Sequence, residues 1–348
     1  MNPPLPRFAI GTRINDRYDI RGKLGSDGDV YRAHDEHLDT MVAVKLLPVE
    51  GTLHPTRWDE ARLLEELKSR CLIEVLNADV DSESDIRFIV TPIIEGGDLE
   101  SVAKGVGLEI HRAVRLMRHA AAGVDRIHAE RMLHRDIKPA NILVDGDEVR
   151  VSDLGFCSLL DATGSTEANG TWQTVAPEVI SLDRCTIRSD LYSLGATAFF
   201  AMAGQYPVPI RLPLEEQIER IRTGQLDDLR DVAPHVPQSL ASVVRKALRK
   251  NPSERFESAD DFGNALVQAV EGRRGWERVL HVDHIYCAKS HPFKLASPVN
   301  ICAEPYGGVV RLKTTYQSTG RRVRGCSDVE VSKDMVPKAV RDVVKSLS

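Results

Sequence analysis

The stretch His134-Arg135-Asp136-Ile137-Lys138-Pro139-Ala140-Asn141 sets a carboxylate, an ammonium two positions on and an amide five positions on. All three fall in one loop. Short apolar runs, Ile142–Val144 and Val149–Ser152, follow it and are joined at Asp145-Gly146, the mark of a tight hairpin. A carboxylate accepts a proton from a hydroxyl, a lysine offsets phosphate charge, and an amide oxygen ligates a hard cation. A second acidic turn, Asp153-Leu154-Gly155, stands just past the hairpin.

Upstream of this loop the chain reads mostly as strands. Arg17–Leu24, Val30–His34 and Thr40–Leu47 are short and β-branched or alternating, and Ile73–Val80 and Ile86–Ile93 follow. One helix interrupts them near Pro55–Arg70. Within Thr40–Leu47, alternation puts Val42 and Val44 on one face, Ala43 and Lys45 on the other. In the interrupting helix, steps of three, four and seven from Glu60 reach Leu63, Leu64 and Leu67. Glu60 is thus the acid in line with the buried stripe. A carboxylate on an inward face needs a cation, and Lys45 is the candidate.

After Gly96-Gly97 the pattern turns helical. Ile110–Glu130 carries Val114, Met117, Ala121, Val124 and Ile127 on one stripe. Helical runs recur near Asp190–Ala203, Leu214–Thr223, Gln238–Arg249 and Ser258–Val270. A strand-rich lobe before a helix-rich lobe is an α+β pattern. Residues 280–348 read as a further small α+β unit, with strand-like runs at His281–Cys287, Val299–Ala303, Val309–Tyr316 and Asp328–Ser332, then a helix at Pro337–Leu347.

These segments resemble the eukaryotic-type (Hanks-type) serine/threonine protein kinase family in its bacterial form. HRDIKPAN is its catalytic loop, Asp153-Leu154-Gly155 its DFG with Leu for Phe, and Val42-Ala43-Val44-Lys45 its VAIK strand. The resemblance implies a two-lobed kinase domain over about 10–271, with an N-lobe to about 95 and a C-lobe from about 96. It implies ATP and Mg²⁺ (or Mn²⁺) as cofactors, and transfer of the γ-phosphate to Ser/Thr hydroxyls of protein substrates, with self-association or autophosphorylation. In that frame Asp136 orients the hydroxyl and accepts its proton, and Lys138 offsets γ-phosphate charge. Lys45 and Glu60 position ATP, while Asp153 and Asn141 hold metal. Thr91 is the gatekeeper, Pro92 offers its carbonyl and Ile94 its N–H to adenine, and Val30, Ala43 and Leu143 sandwich the base.

Gly170-Thr171-Trp172-Gln173-Thr174-Val175-Ala176-Pro177-Glu178 resembles the family's GT-x-x-Y-x-APE segment, with Thr174 for Tyr. The likeness implies that Thr171 bonds Asp136 and Lys138, and that Glu178 pairs with Arg255. Asp190 would tie down the catalytic-loop backbone. Thr163, Ser165 and Thr166 are hydroxyls in the intervening loop, and Arg135 is the kind of cation a phosphorylated loop engages.

The match fails at the phosphate-covering loop. Leu24-Gly25-Ser26-Asp27-Gly28-Asp29-Val30 takes five steps from Gly25 to Val30 where the family takes seven, and two aspartates enter it. That loop works by close backbone approach. A rival reading follows: a kinase-like, nucleotide-binding scaffold with weak or no catalysis. A third reading gives the function to the tail as a binding module.

Composition agrees with a globular chain: 348 residues, 42% hydrophobic and 28% charged. The longest apolar run, near Leu194–Ala203, is too short to span a bilayer, and MNPPLPRF has no signal-peptide pattern. These features predict a cytoplasmic protein without a membrane anchor, as do six scattered cysteines without CxxC. The net charge of −5 hides an asymmetry. Gly272–Ser348 holds 14 Lys+Arg against 7 Asp+Glu, and the preceding 271 residues hold 32 against 44. Such a tail suits docking on the acidic body or on an anionic partner. The cluster Arg321-Arg322-Val323-Arg324 lacks interleaved aromatics, which argues against nucleic acid. His281, His284, Cys287, His291 and Cys302 invite a zinc reading. However, their spacing matches no standard site, and a strand over 281–287 would turn them to different faces, so ordinary packing is the expectation.

Overall fold

The computed structural model describes residues 8–24, 30–47, 62 and 65–347. The predicted residues Glu60, Gly25 and Gly28 lie outside this set.

A six-stranded antiparallel sheet forms the first lobe. Its spatial order is Arg13–Ile14, Tyr18–Leu24, Val30–Asp35, Thr40–Leu47, Arg87–Pro92, Asn77–Val80. The alternation read from sequence decides its faces. Val42, Val44 and Leu46 enter a core with Tyr18, Ile20, Tyr31 and Phe88, and Ala43 and Lys45 face the other way. Residues 73–76, expected as strand, are not part of the ladder, which starts at Asn77. Leu76 N and Ile73 N instead bond Val90 O and Val151 O, so the segment runs between the two lobes.

The second lobe is helical. Ile110–Ala129 buries the whole predicted stripe, and Glu109 caps its start by accepting from His111 N and Arg112 N at 2.9 and 2.8 Å. Ile187–Ala203 is buried on every side from Ser189 onward, which makes it the axis of the lobe. The hairpin Ile142–Asp145 with Glu148–Val151 lies beneath the first lobe. Gly96 in the connection touches it: a Cβ there would sit 2.1 Å from Val144 O, so only glycine permits this approach.

Residues 276–346 build a five-stranded antiparallel meander: Trp276–Val279, Tyr286–Ser290, Val299–Tyr306, Val309–Tyr316 and Val329–Val331. The helix Val336–Ser346 covers it with Val336, Val340 and Val344, one helical face. One sheet face, with Tyr286, Ala288, Ile301 and Leu312, shares a continuous core with the helical lobe. Two expectations change here. Trp276–Val279 is an unforeseen strand, and 281–285 is a turn and loop rather than strand. The charge asymmetry is matched by contact, since Arg341 pairs with Asp231 at 2.6 Å and donates to Arg230 O at 2.9 Å. Among the described residues no helix is long and apolar enough to cross a membrane. All six cysteines are free thiols.

Candidate active site

The loop 134–141 is held from below by one carboxylate. Asp190, in the first turn of the Ile187–Ala203 helix, accepts from His134 N at 2.9 Å and Arg135 N at 3.0 Å. His128 Nε2 meets the same carboxylate at 2.8 Å. Burial alone would raise the Asp190 carboxyl, but the His128 hydrogen bond and nearby charge outweigh it and hold it below its usual range. His134 adds a second brace. Its Nδ1 accepts from Asp136 N at 3.3 Å, which leaves Nε2 to donate to Ser152 O at 3.1 Å. Arg135 takes the left-handed conformation, φ 67°, that turns the chain there.

On this base, donors converge on Asp136, which is only 4% exposed. Thr171 Oγ1 donates to Oδ1 at 2.6 Å, and Lys138 Nζ lies 2.9 Å from Oδ2 and 3.2 Å from the Thr171 hydroxyl. The Asn141 amide donates to Asp136 O at 2.8 Å and to Oδ2 at 3.2 Å, which turns its own oxygen away from the carboxylate.

Asp153 sits across the cleft with φ 62°, and accepts from Lys45 Nζ at 2.6 Å. Burial works to raise its carboxyl, but the Lys45 charge and hydrogen bond prevail and keep it ionised. Leu154 beside it is buried in the helical-lobe core. The Asp153 carboxylate and the Asn141 amide oxygen are hard oxygen donors, a set that suits a divalent cation of the Mg²⁺ kind.

The segment 170–178 is anchored by Glu178 and Arg255, which form a two-point ion pair at 2.6 and 2.7 Å. The Arg255 side chain is fully buried and also donates to Arg249 O, Arg188 O and Lys250 O, so its fork is satisfied.

The protein kinase domain model matches residues 18–265. The chain belongs to the protein kinase family. Serine/threonine-protein kinase PrkC of Bacillus subtilis (strain 168) is 30% identical over 285 residues, covering 77% of this chain and 42% of that protein. Serine/threonine-protein kinase PknH of Mycobacterium tuberculosis (strain H37Rv) is 30% identical, covering 71% and 40%. PknA of the same strain, another serine/threonine-protein kinase, is 28% identical, covering 76% and 64%. The chain therefore spans about half the length of the curated relatives it matches.

The remaining positions follow from the kinase frame. Ala43 pairs with Thr91 and Val42 with Pro92 at the end of the sheet, while Gly97 N bonds Ile94 O at 3.2 Å to turn the chain out of it. Leu143 forms a bridge with Asp98, which brings the hairpin under this connection. Leu24 pairs with Val30, so five residues separate the two strands. Those five are outside the described set.

The three loop hydroxyls singled out in the sequence divide. Thr163 is exposed and bonds Asp161 Oδ1 at 2.6 Å, and Ser165 accepts from Arg184 Nε at 3.0 Å. Thr166 is buried, with its hydroxyl 3.0 Å from Ser158 Oγ, so it is a poor acceptor of phosphate in this state. Two cations face this loop: Arg184, which pairs with Asp161, and Arg135, which donates to the loop carbonyls Phe156 O at 2.5 Å and Glu167 O at 3.1 Å. Sequence reasoning missed Arg184 and His128. Neither carries a motif, and His128 is 62 residues from its partner Asp190.

Proposed function

We propose that this chain is a serine/threonine protein kinase, transferring the γ-phosphate of ATP to Ser/Thr hydroxyls of proteins, itself included. The observation that carries the reading is the Asp136 carboxylate, which accepts a hydrogen bond from a threonine hydroxyl at 2.6 Å with an ammonium 2.9 Å away. Asp136 orients the substrate alcohol and takes its proton. Lys138 offsets charge on the phosphoryl group in flight, and Lys45 positions the phosphates. Asp153 and Asn141 would hold Mg²⁺, which supplies electrostatic stabilisation of the transferred group. Residues 276–347 act as an appended unit seated on the C-lobe.

Radiolabelled ATP offered to the wild type and to Asp136→Ala tests the reading. Transfer by the wild type and none by the variant supports it. A second reading, a nucleotide-binding scaffold, is favoured by the short span between Leu24 and Val30. Nucleotide binding without transfer by the wild type, in Mg²⁺ or Mn²⁺, would decide for the scaffold.

A further inference from the structure

The outer face of the tail sheet carries two thiols, and the turn over it two imidazoles, with no part in phosphoryl transfer. Cys287 and Cys302 are directly paired across adjacent strands. Their neighbours Tyr286, Ala288, Ile301 and Ala303 point into the shared core, so the two thiols face the other way. Cys287 is nonetheless only 1% exposed. The turn that follows the first tail strand lies close over it. His281 O accepts from His284 N, and Asp283 takes φ 65°, so the two imidazoles emerge on the same side with ring centroids 5.2 Å apart. This turn is what the alternation of a strand could not foresee.

His284 Nδ1 lies 3.0 Å from Cys287 Sγ, and His281 Nδ1 3.6 Å from Cys302 Sγ. The four ligand atoms all fall within 4.8 Å of one another. In a tetrahedral zinc site with bonds of about 2.0–2.3 Å, donors are roughly 3.3–3.8 Å apart. The cluster needs only a small contraction to reach that geometry. Beyond it, Glu304 Oε1 stands 3.8 Å from His284 Nε2, and its other oxygen accepts from Lys313 Nζ at 2.6 Å. At 3.8 Å this is not yet a hydrogen bond; a shift of about 1 Å would bring the carboxylate to the far nitrogen, where such a partner fixes a ligating imidazole. His291, the fifth residue of the sequence pattern, is elsewhere, 3.2 Å from Glu277.

We propose that His281, His284, Cys287 and Cys302 form a closed, four-coordinate structural site for Zn²⁺. Two thiolates and two imidazoles select zinc over the hard cations of the catalytic cleft. All four positions are filled by protein, so the site has no open coordination place for chemistry. Its role is to pin the turn. Leu280 and Val282 there are 72% and 86% exposed, so apolar burial does not hold it down. A cross-strand disulfide is the rival use of the paired cysteines, but it gives the two histidines and Glu304 nothing to do.

The full chain, purified without chelator from zinc-supplemented medium, should contain about one zinc per molecule by elemental mass spectrometry. Cys302→Ser and His284→Gln should lose most of it, while Cys326→Ser keeps it. Since a turn variant can unfold the tail, the wild type also decides the matter alone. Stripped of metal under reducing conditions and titrated with Co²⁺, it should show thiolate-to-cobalt charge transfer and the intense visible bands of a tetrahedral ion. A weak octahedral spectrum, zinc below about a tenth of an equivalent, or a Cys287–Cys302 disulfide in the chain as isolated would overturn the proposal.

Discussion

Asp136 receives hydrogen bonds from a hydroxyl, an ammonium and an amide at once. Replacing it by Asn keeps the shape and removes the proton acceptor. Asp136→Asn should cut phosphoryl transfer by about 10²–10⁴-fold, with nucleotide affinity by calorimetry nearly unchanged. Unchanged turnover would remove Asp136 from the reaction. At this scale much of the site is legible in the sequence, because Asp136, Lys138, Asn141 and Thr171 are fixed by spacing within two short segments. His128 is different. It reaches Asp190 only because two helices pack together, and no local pattern encodes that meeting. Removing it with His128→Leu leaves the buried Asp190 with one partner fewer, and should lower thermal stability by about 1–3 kcal/mol in a melt at neutral pH.

Among the elements, the segment from Asp153 to Glu178 is where a phosphorylation switch is proposed. Asp161 accepts from the Thr163 hydroxyl and amide and from Ser165 N, and it pairs with Arg184. A phosphate on Ser165 would face Arg184 directly and compete with Asp161 for it. Phosphopeptide mapping after ATP incubation is expected to find Thr163 or Ser165, and not Thr166. Full activity with both sites unmodified would remove the switch. The end of the segment depends on the Glu178–Arg255 pair. Glu178→Gln leaves a fully buried guanidinium without its counter-charge, which should cost about 3–5 kcal/mol and appear as a lowered Tm. Elements with strong periodicity were readable. The Ile110–Ala129 stripe and the Val309–Tyr316 strand fall where alternation and helical spacing put them. The turn at 281–285 was not, because β-branched Val282 and Ile285 are residue types common in strands, while Asp283 breaks extended backbone with a positive φ.

For the whole molecule, the seam between tail and helical lobe is closed by His235 and Tyr286, both buried, with Nδ1 2.5 Å from the phenol oxygen. Burial, helped by the charge of Arg278, pushes the His235 imidazole down to about 3. The folded state thus keeps the ring neutral, while the unfolded chain protonates it below about 6.5. Acid therefore favours unfolding. Stability should fall as pH drops below about 6.5, by up to about 1.4 kcal/mol per pH unit from this group, before most carboxylates begin to titrate near 4. Denaturant melts from pH 7 to 5 check this, and His235→Gln should flatten the slope. Little of this seam could be seen beforehand. Opposite charges on body and tail suggested docking, but which side chains meet is set by packing across 51 residues of chain.

Trp276, with no exposed surface, and the apolar face behind it belong to the same interior as the helices, though the family match ends at residue 265. Anyone trimming a gene to the catalytic portion would therefore uncover an oily wall that water has never touched. A clone stopped after Glu271 should come out as inclusion bodies or sticky oligomers on size exclusion, and one carried through Ser348 as a well-behaved species.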